Sequence, residues 1–265
     1  MKTINFLLLT GILVFALAPA KAQQTLTAKQ IQEKSVEATR VAGTESIAKL
    51  AIVNEKGQER IRQMAVMTKL CDNGETEKKI IRFVAPADIK GTGFLTYDYN
   101  LLNDDKWIYL PALRKTRRII SSENAKSFMG SEFSYADMTL LNIDEFNYNL
   151  LGEEPVNGID CYKIEIVPAN SVVEDNNGFS KKISYIGKGD FVLRKSVYYD
   201  LFGEEHKILK VKSIVEVDKT NHKFRLKEIE ITNIQNQRKS ILINEKIQFS
   251  PDIPDDYFTT RYLER

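Results

Sequence analysis

Histidine and cysteine are nearly missing: the 265 residues hold two of each, and neither cysteine stands beside a histidine. That pattern speaks against a Cys/His zinc site or a thiol–imidazole nucleophilic pair, since both need those groups in reach of one another. Cys71 and Cys161 are far apart in sequence. In an oxidising compartment an even count permits one disulfide, and two half-buried thiols packed as small apolar groups are the alternative. The chain has no G-x-S-x-G, H-E-x-x-H or EF-hand spacing, so the common hydrolase and calcium patterns are absent too. Gly91-Thr92-Gly93 lacks the third glycine and the strand-to-helix setting of a dinucleotide loop, and reads as a tight connection or bulge. The acidic pairs Asp104-Asp105, Glu153-Glu154 and Asp255-Asp256 lie near turn residues and point to opposite faces of any strand, so they read as solvated loop ends. No catalytic constellation and no cofactor is called for, and the expectation is a protein that is not an enzyme.

A long apolar run occurs once, at the start. Met-Lys-Thr precedes an apolar stretch from Ile4 to Ala18, and Ala20-Lys21-Ala22 follows, which is the order of a secretory signal peptide. The run is shorter than the roughly 20 residues of a spanning helix. Cleavage is expected after Ala22, giving a signal segment 1–22 and a single domain 23–265 in the periplasm. No cysteine sits at the cut to take a lipid. Removing Lys2 and Lys21 turns 38 basic against 36 acidic residues into 36 against 36. A near-neutral chain argues against a nucleic-acid partner held by bulk charge.

Residues 27–40, TAKQIQEKSVEATR, carry good helix formers behind a Thr-Ala-Lys-Gln opening that predicts a capping box. From about Ser46 the pattern changes to runs rich in Ile, Val, Phe and Tyr, separated by turns such as Asp-Asn-Gly-Glu. About a dozen such runs, from SIAKLAIVN to SILINEKIQF, predict a large antiparallel sheet. Lys210, Lys212, Glu216 and Asp218 interleave with apolar neighbours, as do Glu228, Glu230 and Thr232, so these strands have one wet and one buried face. A sheet of this size must curl, pair or receive covers, and only the N-terminal helix and Ser122–Leu141 offer themselves. The second segment holds Phe128, Met129, Phe133, Tyr135 and Met138 around Gly130, and is expected to be a broken helix or an apolar loop over the sheet. No linker rich in Pro, Gly or Ser divides the chain.

The stretch WIYLPALRKTRRIISSENAKSFMGSEFSYAD, Trp107 to Asp137, joins an apolar strand, four basic residues and the aromatic segment. Rings beside cations can bind single-stranded nucleic acid, or a lipid whose chain enters an apolar recess and whose acidic head meets guanidinium at the rim. An export signal and a neutral chain favour the lipid. An edge strand guarded by solvated cations accounts for the same residues without a ligand.

The succession FVAPADIKGTGFL, WIYLPALRKTRRI, SFMGSEFSYAD and YNLLGEEPVNGIDCYKIEIVP resembles the LolA-like outer-membrane lipoprotein-sorting proteins, in particular the branch associated with RND-type exporters of lipids. The similarity runs from about Ser46 to the closing DDYFTTRYLER. It implies a mostly β (α+β) fold: an incomplete antiparallel barrel around an apolar cavity, lidded by short helices. Acyl chains buried there gain about 0.8 kcal/mol per methylene. The resemblance implies Phe83, Phe94, Trp107, Tyr109 and Leu110 for the concave wall, and Phe128, Met129 and Phe133 for the lid. Alternation puts Trp107 and Tyr109 on one face and Ile108 and Leu110 on the other, so these four cannot all line one cavity. Arg114, Arg117 and Arg118 are implied for a headgroup or for docking to a partner. The shorter lipoprotein carrier of the group ties its lid to the barrel with an arginine that has no match by position here.

The expected function is therefore that of a periplasmic chaperone-like carrier. It binds acylated lipoprotein or another lipid without covalent chemistry, touches membranes transiently and meets a membrane partner such as an RND-type transporter. The rival from another class is an envelope scaffold that takes a protein segment of such a transporter by strand addition, with no lipid cargo.

Overall fold

The computed structural model describes residues 26–100 and 102–265. The expected signal segment 1–22 lies outside the described residues. In chain order the elements are α1 (Ala28–Thr39), β1 (Gly43–Val53), β2 (Glu59–Cys71), β3 (Thr76–Ala85), β4 (Gly93–Tyr99), β5 (Asp105–Leu110), β6 (Lys115–Ile119), β7 (Phe146–Glu153) and β8 (Cys161–Pro168). Then follow α2 (Ser171–Asn177), β9 (Lys181–Gly187), β10 (Leu193–Tyr199), β11 (Glu205–Asp218), β12 (Lys223–Asn233), β13 (Arg238–Phe249) and α3 (Thr260–Leu263). Helix α1 starts where the capping box predicts: the Thr27 side chain accepts from Gln30 N–H and the Gln30 side chain from Thr27 N–H. That satisfies two of the donors a helix start leaves free.

All thirteen strands join one sheet in the order β6-β5-β4-β3-β2-β1-β13-β12-β11-β10-β9-β8-β7. Every pairing is antiparallel, and each joins consecutive strands except that of β1 with β13. The sheet is thus a meander whose first and last strands meet in its middle, and it does not close: β6 and β7 are its edges. The segment between those edges, residues 120–145, has to cross from one side of the sheet to the other. The expected incomplete barrel is present, and its lid is the connection between the two strands that fail to pair.

The concave face carries the main core, under α1, α2 and the crossing segment. Ile31, Leu50, Met64, Phe83, Phe94, Phe128 and Ile164 are almost wholly buried there. The opposite face is wet over most of the sheet, where Lys212 pairs with Glu230 at 3.6 Å. Over β3, β4 and β5 it is covered a second time. The C-terminal segment returns and buries Ile253, Phe258 and Leu263 against Ile80 and Leu95. Gly93 is needed at this contact, because a Cβ there would stand 2.5 Å from a methyl carbon of Leu263.

Three elements escape the sequence reading. Strand β7 carries Asn147, Asn149 and Gly152, which weaken its β signal. Helix α2 has only seven residues behind its Asn170 cap. Helix α3 is a single turn. Both thiols are free: Cys161 is buried among Ile183, Tyr185 and Val197, and Cys71 lies near Asp255, so the small-apolar alternative describes Cys161.

Candidate functional site

Register divides the concave face into bands. Thr44 of β1 stands opposite Thr68 of β2, Thr68 opposite Lys79 of β3, Lys79 opposite Thr96 of β4, and Thr96 opposite Lys106 of β5. These five form one polar row across five strands. On one side of it comes an acidic row, Glu77 opposite Asp98. On the other come apolar rows, Ser46-Val66-Ile81-Phe94-Ile108 and then Ala48-Met64-Phe83. The inner face is greasy at one end and charged at the other because every strand changes character at the same height.

The charged end is buried. Glu77, Asp98 and Thr96 are at most 2% exposed, and Lys106, at 3%, pairs with Asp104 at 2.9 Å. Arg225 of β12 reaches across to donate to Thr68 Oγ1 at 2.7 Å and to Glu77 Oε2 at 3.3 Å. Lys79 Nζ lies 3.7 Å from Glu77 and 3.8 Å from Asp98. Burial pushes the Glu77 carboxyl up, but the charges of Arg225 and Lys79 outweigh it and hold the group below the usual carboxylate range. Asp98 lacks such a partner. Its burial, opposed by Lys79 and reinforced by Asp104 and Glu77, pushes it up to about 7.

The lid turns back on itself between Ser127 and Ser134. Phe128 N–H donates to Phe133 C=O at 2.7 Å and Ser131 N–H to Phe128 C=O at 3.0 Å, with Met129 and Gly130 both at positive φ. Two successive left-handed residues make a type I′ turn, which brings Phe128 and Phe133 down together. Side chains of the sheet then fasten the backbone. Arg62 donates to Met129 C=O, Arg238 to Gly130 C=O at 3.1 Å, Lys207 to Glu132 C=O at 3.0 Å and Lys79 to Met138 C=O at 2.7 Å. Glu132 is itself buried, with Arg238 at 3.2 Å and Asn233 at 3.0 Å on its carboxylate. At the far end Asp137 accepts from Tyr198 OH at 3.1 Å and from Ser134 Oγ at 2.8 Å. Burial first, and then the Asp137 charge, raise the Tyr198 hydroxyl well above its ordinary pKa, so it stays a donor.

Between lid and sheet lies a cavity of about 240 Å³. Leu50, Met64, Val66, Ile81, Ile229 and Leu242 supply apolar wall, Phe128 and Phe133 reach in from the lid, and Lys79 and Arg225 stand at the polar end.

The residues singled out by sequence fall into three places. Phe83 and Phe94 face inward, where they pack on Phe128, at ring distances of 6.1 and 5.3 Å, and seat the lid instead of lining free space. Leu110 is half-buried against the same core, and Met129 is the lid turn. Trp107 and Tyr109 lie on the opposite face, packed with Ile80, Leu95 and the C-terminal segment; Trp107 meets the Tyr97 ring at 5.2 Å. Their placement on the concave wall is corrected: the inward pair of β5 is Ile108 and Leu110. Both faces of this strand are covered, so alternation alone could not say which pair points inward.

The three arginines do not converge either. Arg117 and Arg118 lie on opposite faces of β6, the first 2.8 Å from Glu123, the second paired with Asp105. Arg114 is exposed at the β5–β6 turn with φ 47°. The cations that do reach the cavity, Lys79 and Arg225, are not singled out by the sequence. Only the register across strands reveals them.

A family model whose description reads "Uncharacterized protein" matches residues 75–265, and the sheet superposes on several solved structures. The chain belongs to the LolA-like family. A domain described as that of an outer membrane lipoprotein-sorting protein, from Vibrio parahaemolyticus, is 25% identical, with a TM-score of 0.82 over 90% of this chain and 98% of that one. A DUF1329 family protein from Desulfovibrio piger is 26% identical, with a TM-score of 0.80 over 90% of this chain and 100% of that one. A LolA superfamily protein from Nitrosomonas europaea shares the fold at 17% identity, TM-score 0.68, over 90% and 100% of the two chains. No curated protein matches. In this LolA-like chain Arg62 and Arg238 donate from the sheet to the lid backbone. No helix among the described residues is long and apolar enough to cross a membrane.

Proposed function

We propose that the protein is an exported, non-enzymatic carrier that holds an acyl chain of a lipoprotein or another lipid under its lid and exchanges it with membrane machinery in the periplasm. The observation that carries this reading is the cavity: apolar walls, a polar end, and a lid held to the sheet by side-chain hydrogen bonds. Water in such a recess gains little from its walls, whereas each methylene transferred there contributes about 0.8 kcal/mol. Similarity to a domain described as sorting outer membrane lipoproteins supports the same cargo class. For docking we assign the β5–β6 turn, where Leu113 is 68% exposed beside Arg114 and Lys115, with an RND-type transporter as the partner class.

The test is mass spectrometry of lipids and acylated peptides extracted from protein purified gently from its native envelope. Leu242→Trp, which fills the cavity from a half-buried wall position, is the comparison. An acylated species at near-stoichiometric amount in the wild type, absent from the variant, is expected. Reproducible absence of any apolar ligand from both would move the assignment to a scaffold. The open β7 edge, with Leu150 and Leu151 exposed, would then be the place for a protein segment.

A further inference from the structure

The acyl cavity ends on more buried positive charge than its own carboxylates neutralise. Lys79 and Arg225 line the cavity, and Arg40, 9% exposed, stands in an adjoining hollow on the other side of Leu140 together with Asp98. Facing these three cations are the buried Glu77 and Asp98, and the exposed Glu33, Glu37 and Asp144 also line the hollow of Arg40. Lys106 already pairs with Asp104, and the cavity's other carboxylate, Asp137, has both oxygens occupied by Ser134 and Tyr198 and lies in the field of the buried Lys182. Among the buried groups one positive charge is left over even with Asp98 ionised; of the exposed carboxylates near Arg40, Glu37 pairs with Lys223 and Asp144 with Lys29.

Hydrogen bonding leaves buried groups of both kinds unmatched: Glu77 Oε1, both Asp98 oxygens and Thr96 Oγ1 have no partner. Arg225 Nε, Arg40 Nε and Arg40 Nη2 are buried with no protein acceptor. Lys79 has one acceptor within hydrogen-bond distance, the Met138 carbonyl, while the carboxylates beside it stand at 3.7 and 3.8 Å. A buried donor without a partner costs free energy, so Arg225 Nε at the end of the cavity, beside a Lys79 that holds a single acceptor, is placed for an acceptor that arrives with a ligand. The polar row lies directly beside the apolar rows, so a chain lying along Val66 and Ile81 brings its terminus to Lys79.

We propose that the polar row at Lys79 and Arg225 binds an oxyanion, the carboxylate or phosphate head of a single-chain amphiphile whose hydrocarbon occupies the apolar rows. This rests on the carrier reading and specifies its cargo: an anionic head enters with its chain, inside the cavity, and is not left at the rim by the arginines of β6. A guanidinium and an ammonium at the end of a low-dielectric recess bind an oxyanion more strongly than the same groups in water. A neutral head would leave the surplus charge uncompensated.

The test compares dodecanoate, dodecyl phosphate and dodecanol, which share one chain, by calorimetric titration below their aggregation limits. Wild-type protein is expected to bind at least one anion about tenfold or more tightly than dodecanol, a preference of about 1.4 kcal/mol. Whichever anion shows the larger preference names the source of the head. Lys79→Met and the charge-balanced double variant Arg225→Met with Glu77→Gln should each lose most of that preference while still binding dodecanol, and Lys79→Arg should keep it. Equal binding of all three ligands by the wild type would overturn the headgroup assignment and leave the carrier reading intact. A preference retained in both variants would also overturn it. No binding of any of the three would count against the carrier itself.

Discussion

Asp98 is an acid on the inner face of β4 with neither oxygen hydrogen-bonded, and burial pushes it up to about 7. In the unfolded chain it would titrate near 3.8. Between those values the folded state holds a proton that the unfolded state has released. The stability Asp98 contributes is therefore present below about pH 4 and lost as pH rises towards 7. Asp98→Asn cannot ionise, so it should gain on the wild type over that window, by on the order of 1 to 3 kcal/mol at pH 8. Urea unfolding of both proteins at pH 4, 6 and 8 checks this. A constant difference between them would mean that Asp98 keeps an ordinary acidity. Glu77 is its counterpart: the same burial is outweighed by Arg225 and Lys79, so neighbouring carboxylates on one row differ because only one has a guanidinium in hydrogen-bond reach.

At the scale of elements, the lid has almost no regular structure, and its position is set by bonds from elsewhere. Arg62, Arg238 and Lys207 hold the turn at residues 129–132, and Glu132 returns the contact to Arg238 and Asn233. Glu132→Ala removes the buried acceptor and leaves the buried Asn233 amide without it, while Arg238, 37% exposed, can turn to water; the loss costs about 1–3 kcal/mol locally. Hydrogen exchange should then quicken in residues 127–135 with β1–β4 unchanged. Equal quickening across the sheet would show that the lid does not open as a separate unit. The aromatic contact of Phe128 with Phe83 and Phe94 is what the lid must give up on opening, so it sets part of the barrier to ligand entry.

For the molecule as a whole, the two covered faces have separate tasks. The concave face holds the cavity, and the outer patch around Trp107 anchors the C-terminal segment to β3–β5. Trp107→Ala should lower stability by about 3–5 kcal/mol through a cavity on the outer face, without changing ligand affinity in the folded protein. Leu242→Trp should do the reverse. Urea unfolding and dodecanoate titration of both variants check the separation; loss of binding in Trp107→Ala at temperatures where it is folded would mean that the two faces are coupled.

The amino-acid sequence by itself determined the secondary structure along most of the chain. Strand alternation, turn residues and the Thr27–Gln30 box act within a few residues of one another, so they are legible in a linear string. It also showed that Trp107 and Tyr109 share a face, because the period of a strand is two. It could not say that this face is the outer one, since Ile108 and Leu110 are apolar as well and the C-terminal turn that covers Trp107 lies more than a hundred residues away. The polar row was hidden for a related reason. Thr68, Lys79 and Arg225 are not singled out on their own strands, and only the register of five strands, with the reach of β12 across the cavity, gathers them at one end of an apolar recess. Local interactions write themselves into sequence; which face turns inward, and which charges meet there, were decided by tertiary pairings between distant segments.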